Sequence, residues 1–329
     1  MMFTFNLNVL KKQSQSNKIG GIMPRGLSTD FMKDLLPGGS LSSILEFVKN
    51  DHTLDFEIRK DYADIYYRGG RILGIHPQGK VYSFAFDKEY LKKLPATSTI
   101  TEAMIKKFQK LNDWENYFAA TKQVMDMYFI SKIKSEREFQ QLVVRENNYS
   151  ATSNGTDYFI IDIEYDNKNG AKFDLVALEW ESKSGARKLS GKYTPRIVVI
   201  EMKYGEGALA GTSGILKHIK DFNGFISSTS AVKAFKEEMI NVFEQKRQLG
   251  LVLFSKTGNN NPVSKVTTDI EFALLIANHD PNSTKLKTIL TNPICSDVQF
   301  FTANFMGYGL HKNCLYNYND FMSKFIDQI

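Results

Sequence analysis

Phe173-Asp174-Leu175-Val176-Ala177-Leu178 and, after one long connection, Val198-Val199-Ile200-Glu201-Met202-Lys203 decide how this chain is read. Both are short apolar runs, as expected of buried strands, and the second opens with three β-branched residues, Val198, Val199 and Ile200. Side chains alternate in direction along a strand, so Glu201 and Lys203 share one face while Met202 points to the other. If the Asp174 strand lies alongside, two carboxylates and one ammonium meet at one strand edge. Unpaired charges in strands this apolar are costly, and a divalent cation bound by the two acids would compensate them.

The flanking sequence supplies the rest of an α/β layer. Strands are expected near 157–165, 171–181 and 196–204, with a turn at Asn167-Lys168-Asn169-Gly170 and a polar connection from Ser182 to Lys192. Upstream, Ser135 and Glu138 fit a capping box opening a helix with Phe139, Leu142 and Val143 on one face, ended by Asn147-Asn148. Downstream, a glycine-rich loop (Gly205, Gly207, Gly211, Gly214) leads to a helix with Ile215, Leu216, Ile219, Phe222 and Phe225 on one face. A second helix runs from Val232 to Gln248 and stops at Gly250. Strands are expected at Leu251–Phe254, Ile270–Ile276 and Val298–Phe301, with short helices near Leu286 and Asp320. The class is α/β: a mixed central sheet flanked by helices.

Residues 1–130 read differently. Residues 11–40 form a polar lead-in, and Ser40 is a candidate N-cap for a helix over Leu41–Lys49. Alternating runs at 54–58, 64–67, 72–75 and 81–86, broken by Gly69-Gly70 and by Pro77 and Gly79, predict antiparallel hairpins. Helix follows over 98–147, with Thr99 and Glu102 as a capping box. The expected division is an N-terminal α+β module with antiparallel hairpins over 1–130 and the α/β domain over 131–329.

Composition sets the limits. The 329 residues carry 42 Lys and Arg against 36 Asp and Glu, a net +6 that permits an anionic partner without demanding one. Cys295 and Cys314 make no disulfide framework and suit a reducing compartment. No apolar run approaches the ~20 residues of a membrane helix, and Met1–Leu10 lacks the basic start of a secretory signal. A cytoplasmic location and no membrane partner are therefore expected.

The order helix with an acid, hairpin, Asp174 strand, Glu201-x-Lys203 strand and helix resembles the PD-(D/E)xK nuclease superfamily, the fold of restriction endonucleases. The resemblance covers roughly residues 130–255. The family's first-motif proline is absent, since Phe173 precedes Asp174. The resemblance implies a metal-dependent nuclease that hydrolyses phosphodiester bonds, with DNA as its nucleic-acid partner and Mg²⁺ or Mn²⁺ as cofactor. Asp174, Glu201 and the Met202 carbonyl would be the metal ligands. Lys203 would stand beside the attacking water or the phosphate, and Glu138 would be the helix acid, with Glu146 as a second candidate. His218 and Lys217 sit on the helix that lends such sites a polar group. The competing reading is a catalytically silent nuclease-fold protein that binds nucleic acid or protein.

Several signals have plainer explanations. Glu138 competes with its role in the capping box. His218 and Lys217 fit an exposed polar face, Asp162 and Glu164 a solvated strand face, and Gln141 a surface position. The glycine loop lacks the Gly-Lys-Ser/Thr of a phosphate loop. Tyr66-Tyr67-Arg68-Gly69-Gly70-Arg71 combines rings and arginines that suit nucleic acid, yet also suits an ordinary hairpin tip.

Overall fold

The computed structural model describes residues 24–149, 155–166, 170, 172–187, 193–207, 209–252, 262–280, 283–303 and 307–327. The expected turn at 167–169, residues 1–23 of the N-terminal stretch and positions 253–254 of the Leu251–Phe254 strand lie outside these. Leu251 and Val252 themselves are not in a strand.

Helices α1 (Thr29–Leu35) and α2 (Ser42–Asn50) precede four strands: β1 (Leu54–Ile58), β2 (Ala63–Tyr67), β3 (Gly70–Gln78) and β4 (Val81–Ala85). These form an antiparallel sheet in sequential order. Phe56, Ile58, Ile65, Leu73 and Ile75 are fully buried within it.

The helical stretch is three helices: α3 (Glu102–Leu111), α4 (Trp114–Ser131) and α5 (Ser135–Asn148). Asn112, in the left-handed conformation, ends α3, and the Asp113 side chain caps α4. Neither expected capping box forms. Thr101, not Thr99, caps α3 by accepting from the Met104 amide, and Lys134 precedes α5 without a side-chain cap. Ser40 likewise makes no cap, since α2 begins after Leu41.

Five strands make the second sheet, in the order β5 (Tyr158–Asp166), β6 (Lys172–Glu179), β7 (Arg196–Tyr204), β8 (Ile270–Ala277) and β9 (Gln299–Ala303). β5, β6 and β7 are antiparallel, whereas β7, β8 and β9 are parallel. The crossover from β7 to β8 carries α7 (Ile215–Ile226) and α8 (Thr229–Gln248), and the short helix α6 (Ser184–Arg187) lies between β6 and β7. Helices α9 (Thr284–Leu290) and α10 (Tyr318–Phe321) flank the C-terminal part. The molecule is thus mixed α/β, with an antiparallel four-stranded sheet and a mixed five-stranded sheet flanked by helices. Among the described residues no helix is long and apolar enough to cross a membrane.

The two faces of β7 follow strand alternation. Val198, Ile200 and Met202 pack in one cluster with Phe139, Val143 and Val144 of α5. Ile197 and Val199 join the other, with Ile215 and Ile219 of α7 and Phe235 and Phe243 of α8. Each such side chain contributes about 1.5–3 kcal/mol on burial, enough together to hold the charged end of β7 inside the fold.

Asp162 is not on a solvated face as expected. It is fully buried, gripped by Arg25 at 3.0 Å and Arg59 at 2.5 Å. Glu164 is exposed. Gln141 is also buried rather than superficial: it accepts from the Gly69 amide at 2.5 Å and donates to the carbonyls of Thr53 and Tyr66. The β2–β3 hairpin tip is therefore docked against α5. Its Arg68 is engaged by Asp126 at 2.9 Å and Glu138 at 2.7 Å, so this arginine is committed within the protein.

Candidate active site

The site lies where two strands part. Pairing between β6 and β7 ends at Leu175↔Ile200. The next residues on each side are Asp174 and Glu201, which face one another across the opening. Freed from β6, the Met202 amide donates to Asp174 Oδ2 at 2.8 Å. The N–H and C=O of a strand residue project to the same side, so the Met202 carbonyl faces the same gap.

The parting has a local cause. Ile163 and Leu175 pack in the α5 cluster, yet Tyr165 and Phe173, two residues further along, belong to the cluster of α7 and α8. Residues two apart on a regular strand share a face. The alternation breaks at Glu164, whose φ of 52° is left-handed, directly opposite Asp174 in the hairpin register. That conformation is uncommon for a residue other than glycine. Beyond Glu164 the outer end of the hairpin lies toward α7 and α8, where Phe173 packs on Phe225 and Phe235, and over the same stretch β6 leaves the edge of β7.

Three of the expected site residues are gathered here. The Asp174 carboxyl stands close enough to that of Glu201 to push it up. Lys203 Nζ donates to Glu201 Oε1 at 2.6 Å. Glu201 and Lys203 are each 2% exposed. A fourth group comes from α7: His218 Nε2 stands 3.0 Å from Glu201 Oε1. His218 is therefore not on an exposed polar face, as its position in the helix had suggested, but lies against the acid pair. Its signal was position, one turn into the helix that follows the Glu-x-Lys strand. Lys217, by contrast, points to its own helix and pairs with Asp221.

Glu138 is not part of this cluster. It belongs to α5, which covers the face of β7 opposite Glu201 and Lys203, and it is paired with Arg68 Nε. The acids whose charge Asp174 feels are instead Glu136, at the start of α5, and Glu164. Glu146 lies beside Arg145, 3.6 Å from its Nε.

Burial dominates the electrostatics. It pushes the Asp174 carboxyl up to about 7, against the opposing pull of Lys203 and the Met202 amide. It holds Glu201 well above the usual carboxylate range, reinforced by Asp174 and opposed by Lys203. His218 is held down to about 4 by burial and by the Lys203 charge, so its imidazole is neutral at physiological pH. Two neighbouring buried carboxyls, one of them holding the Lys203 ammonium, form an acid pair that favours keeping a proton.

A small divalent cation suits this donor set. Among the described residues no group of three or more His, Cys, Asp or Glu is placed to hold a metal ion, so any ion here would rest on two carboxylates and a backbone carbonyl. The oxygens of Asp174, Glu201 and the Met202 carbonyl are hard donors. Mg²⁺ is commonly held by one or two carboxylates and keeps several waters. Such an ion would replace the proton on the pair. Apparent Mn²⁺ affinity should then rise about ten-fold or more from pH 6 to 8, as Asp174 loses its proton near 7. Calorimetry across that range checks it, and a flat profile would contradict the shared-proton account.

No protein-family model, curated protein or solved structure matches the chain.

Proposed function

We propose that this chain is a metal-dependent nuclease of the restriction-endonuclease-like fold, hydrolysing phosphodiester bonds in DNA. The observation that carries this reading is the meeting of Asp174, Glu201 and Lys203 at the point where β6 and β7 separate. Asp174, Glu201 and the Met202 carbonyl would hold Mg²⁺ or Mn²⁺. Bound there, the ion supplies polarisation of a phosphate oxygen and a more acidic water.

The protein's own groups have distinct tasks. The acid pair provides negative charge that a pair of amides would lack. Lys203 places a cation beside the scissile phosphate, offsetting the charge that develops on its oxygens. Neutral His218 fixes the Glu201 carboxyl from the α7 side. DNA is preferred over RNA because the superfamily that the chain resembles acts mostly on DNA.

The test is incubation with plasmid and linear DNA, and with RNA as comparator, in Mn²⁺, Mg²⁺ or chelator. Lys203→Ala should lower cleavage by about 10²–10³-fold, the scale for removing one stabilising charge from a transition state, while cation binding survives. Cleavage that persists in this variant would remove Lys203 from the mechanism. Absence of cleavage of any substrate by the wild type would favour the catalytically silent reading.

A further inference from the structure

Arg25 lies just before α1, yet its side chain is spent on β5, 137 residues away in the chain. It is 5% exposed. One guanidinium arm donates to Asp162 at 3.0 Å and the other to the Glu164 carbonyl at 3.2 Å. The guanidinium carbon lies 5.0 Å from the centre of the Tyr165 ring. The Arg25 amide donates to Glu238, the residue that also accepts from the Tyr165 hydroxyl. Arg59 grips the same stretch through Asp162 and the Ile163 carbonyl, at 3.1 Å.

The location explains the need. β5 is the edge strand of its sheet, so carbonyls on its outer side have no strand partner. The two arginines supply donors to consecutive carbonyls, and the second of these belongs to left-handed Glu164. Glu164 lies opposite Asp174, flanked by the pairs Ile163↔Leu175 and Tyr165↔Phe173. Whatever fixes the Glu164 backbone therefore fixes where β6 leaves β7.

We propose that Arg25 is a positioning residue for the acid pair: it holds Glu164 in the left-handed conformation that presents Asp174 to Glu201. The purpose of this arrangement rests on the nuclease reading; the geometric claim does not. The N-terminal module then completes the site from behind.

Arg25→Lys keeps a cation opposite Asp162 but gives up the second arm, releasing the Glu164 carbonyl. Glu164→Gly makes the left-handed backbone easy without help. The readout is hydrogen exchange of the Met202 amide, which Asp174 Oδ2 accepts. Arg25→Lys should speed that exchange about ten-fold or more while the far-ultraviolet spectrum is unchanged, and adding Glu164→Gly should restore it to within about two-fold. Binding of Mn²⁺ alone, by calorimetry, should weaken and recover in parallel.

Unchanged Met202 exchange in Arg25→Lys, or a loss that Glu164→Gly does not repair, would overturn the proposal. If Arg25→Lys does not fold, Glu164→Ile is the second variant. A β-branched residue resists positive φ at this exposed position and leaves Arg25 intact. It should release Met202 in the same way, and unchanged exchange there would also overturn the proposal. If wild type binds no Mn²⁺ while the exchange pattern holds, the nuclease reading fails and the positioning role stands.

Discussion

Asp174→Asn is expected to lose cation binding and DNA cleavage together while making the metal-free protein more stable above pH 7. The carboxyl rises from an ordinary 3.8 to about 7 in the fold because burial disfavours its charge. The sign follows from proton binding. The native state holds this proton more tightly than the unfolded chain, so the associated stability is complete below pH 3.8 and is lost as pH rises through about 7. At pH 8 the ionised group costs the fold about 1–3 kcal/mol, allowing for the partial exposure of Asp174. An amide avoids that cost and keeps an acceptor for the Met202 amide. Urea unfolding at pH 5 and pH 8 checks it: the gain should appear at pH 8 and shrink at pH 5. A variant less stable at pH 8 would show that Asp174 is a structural acid and not one held at a cost.

Lys246→Met should be the most damaging single change outside the site. Lys246 of α8 and Glu57 of β1 are both 0% exposed and joined at 2.7 Å. Burial drives Glu57 well above the carboxylate range, and Lys246 is its main compensation. Removing one partner of such a pair costs about 3–5 kcal/mol, whereas replacing both with apolar groups is often neutral. Lys246→Met with Glu57→Leu should therefore recover most of the loss. The single variant leaves only the more distant Arg59, at 3.8 Å, to offset the Glu57 charge, so its deficit should grow from pH 6 to pH 8.5. Denaturant melts at both pH values decide the matter. A loss in the single variant that the double variant does not repair would mean that the lysine stem, not the charge pair, carries the effect.

The strands and the heart of the site were legible because both are local. Glu201 and Lys203 lie two apart in a β-branched run, and alternation alone sets them on one face. Asp174 is legible as the one acid in a similar apolar run, and its place opposite Glu201 follows from the β6–β7 register. What could not be read depended on residues far apart in the chain. Asp162 sits in an alternating polar position, and only Arg25 and Arg59, 137 and 103 residues away, make its burial tolerable. Glu138 has the spacing of a capping acid and of a site acid, and takes neither role: α5 covers the other face of β7, and Arg68, seventy residues earlier, pairs with it. The place of His218 is not legible in the sequence, because nothing in its neighbours says that α7 packs over the Glu201 face. The left-handed turn of Glu164 left no mark, since glutamate carries no preference for it. Yet it is the feature that separates the strands.

The opening between β6 and β7 is expected to receive a divalent cation. Crystals grown with Mn²⁺ at pH 8 test it most directly through the metal's anomalous scattering. One strong peak is expected between the carboxylates of Asp174 and Glu201, absent in Asp174→Asn. An ordered ion bound elsewhere, or none while Asp174 and Glu201 still face one another, would contradict it.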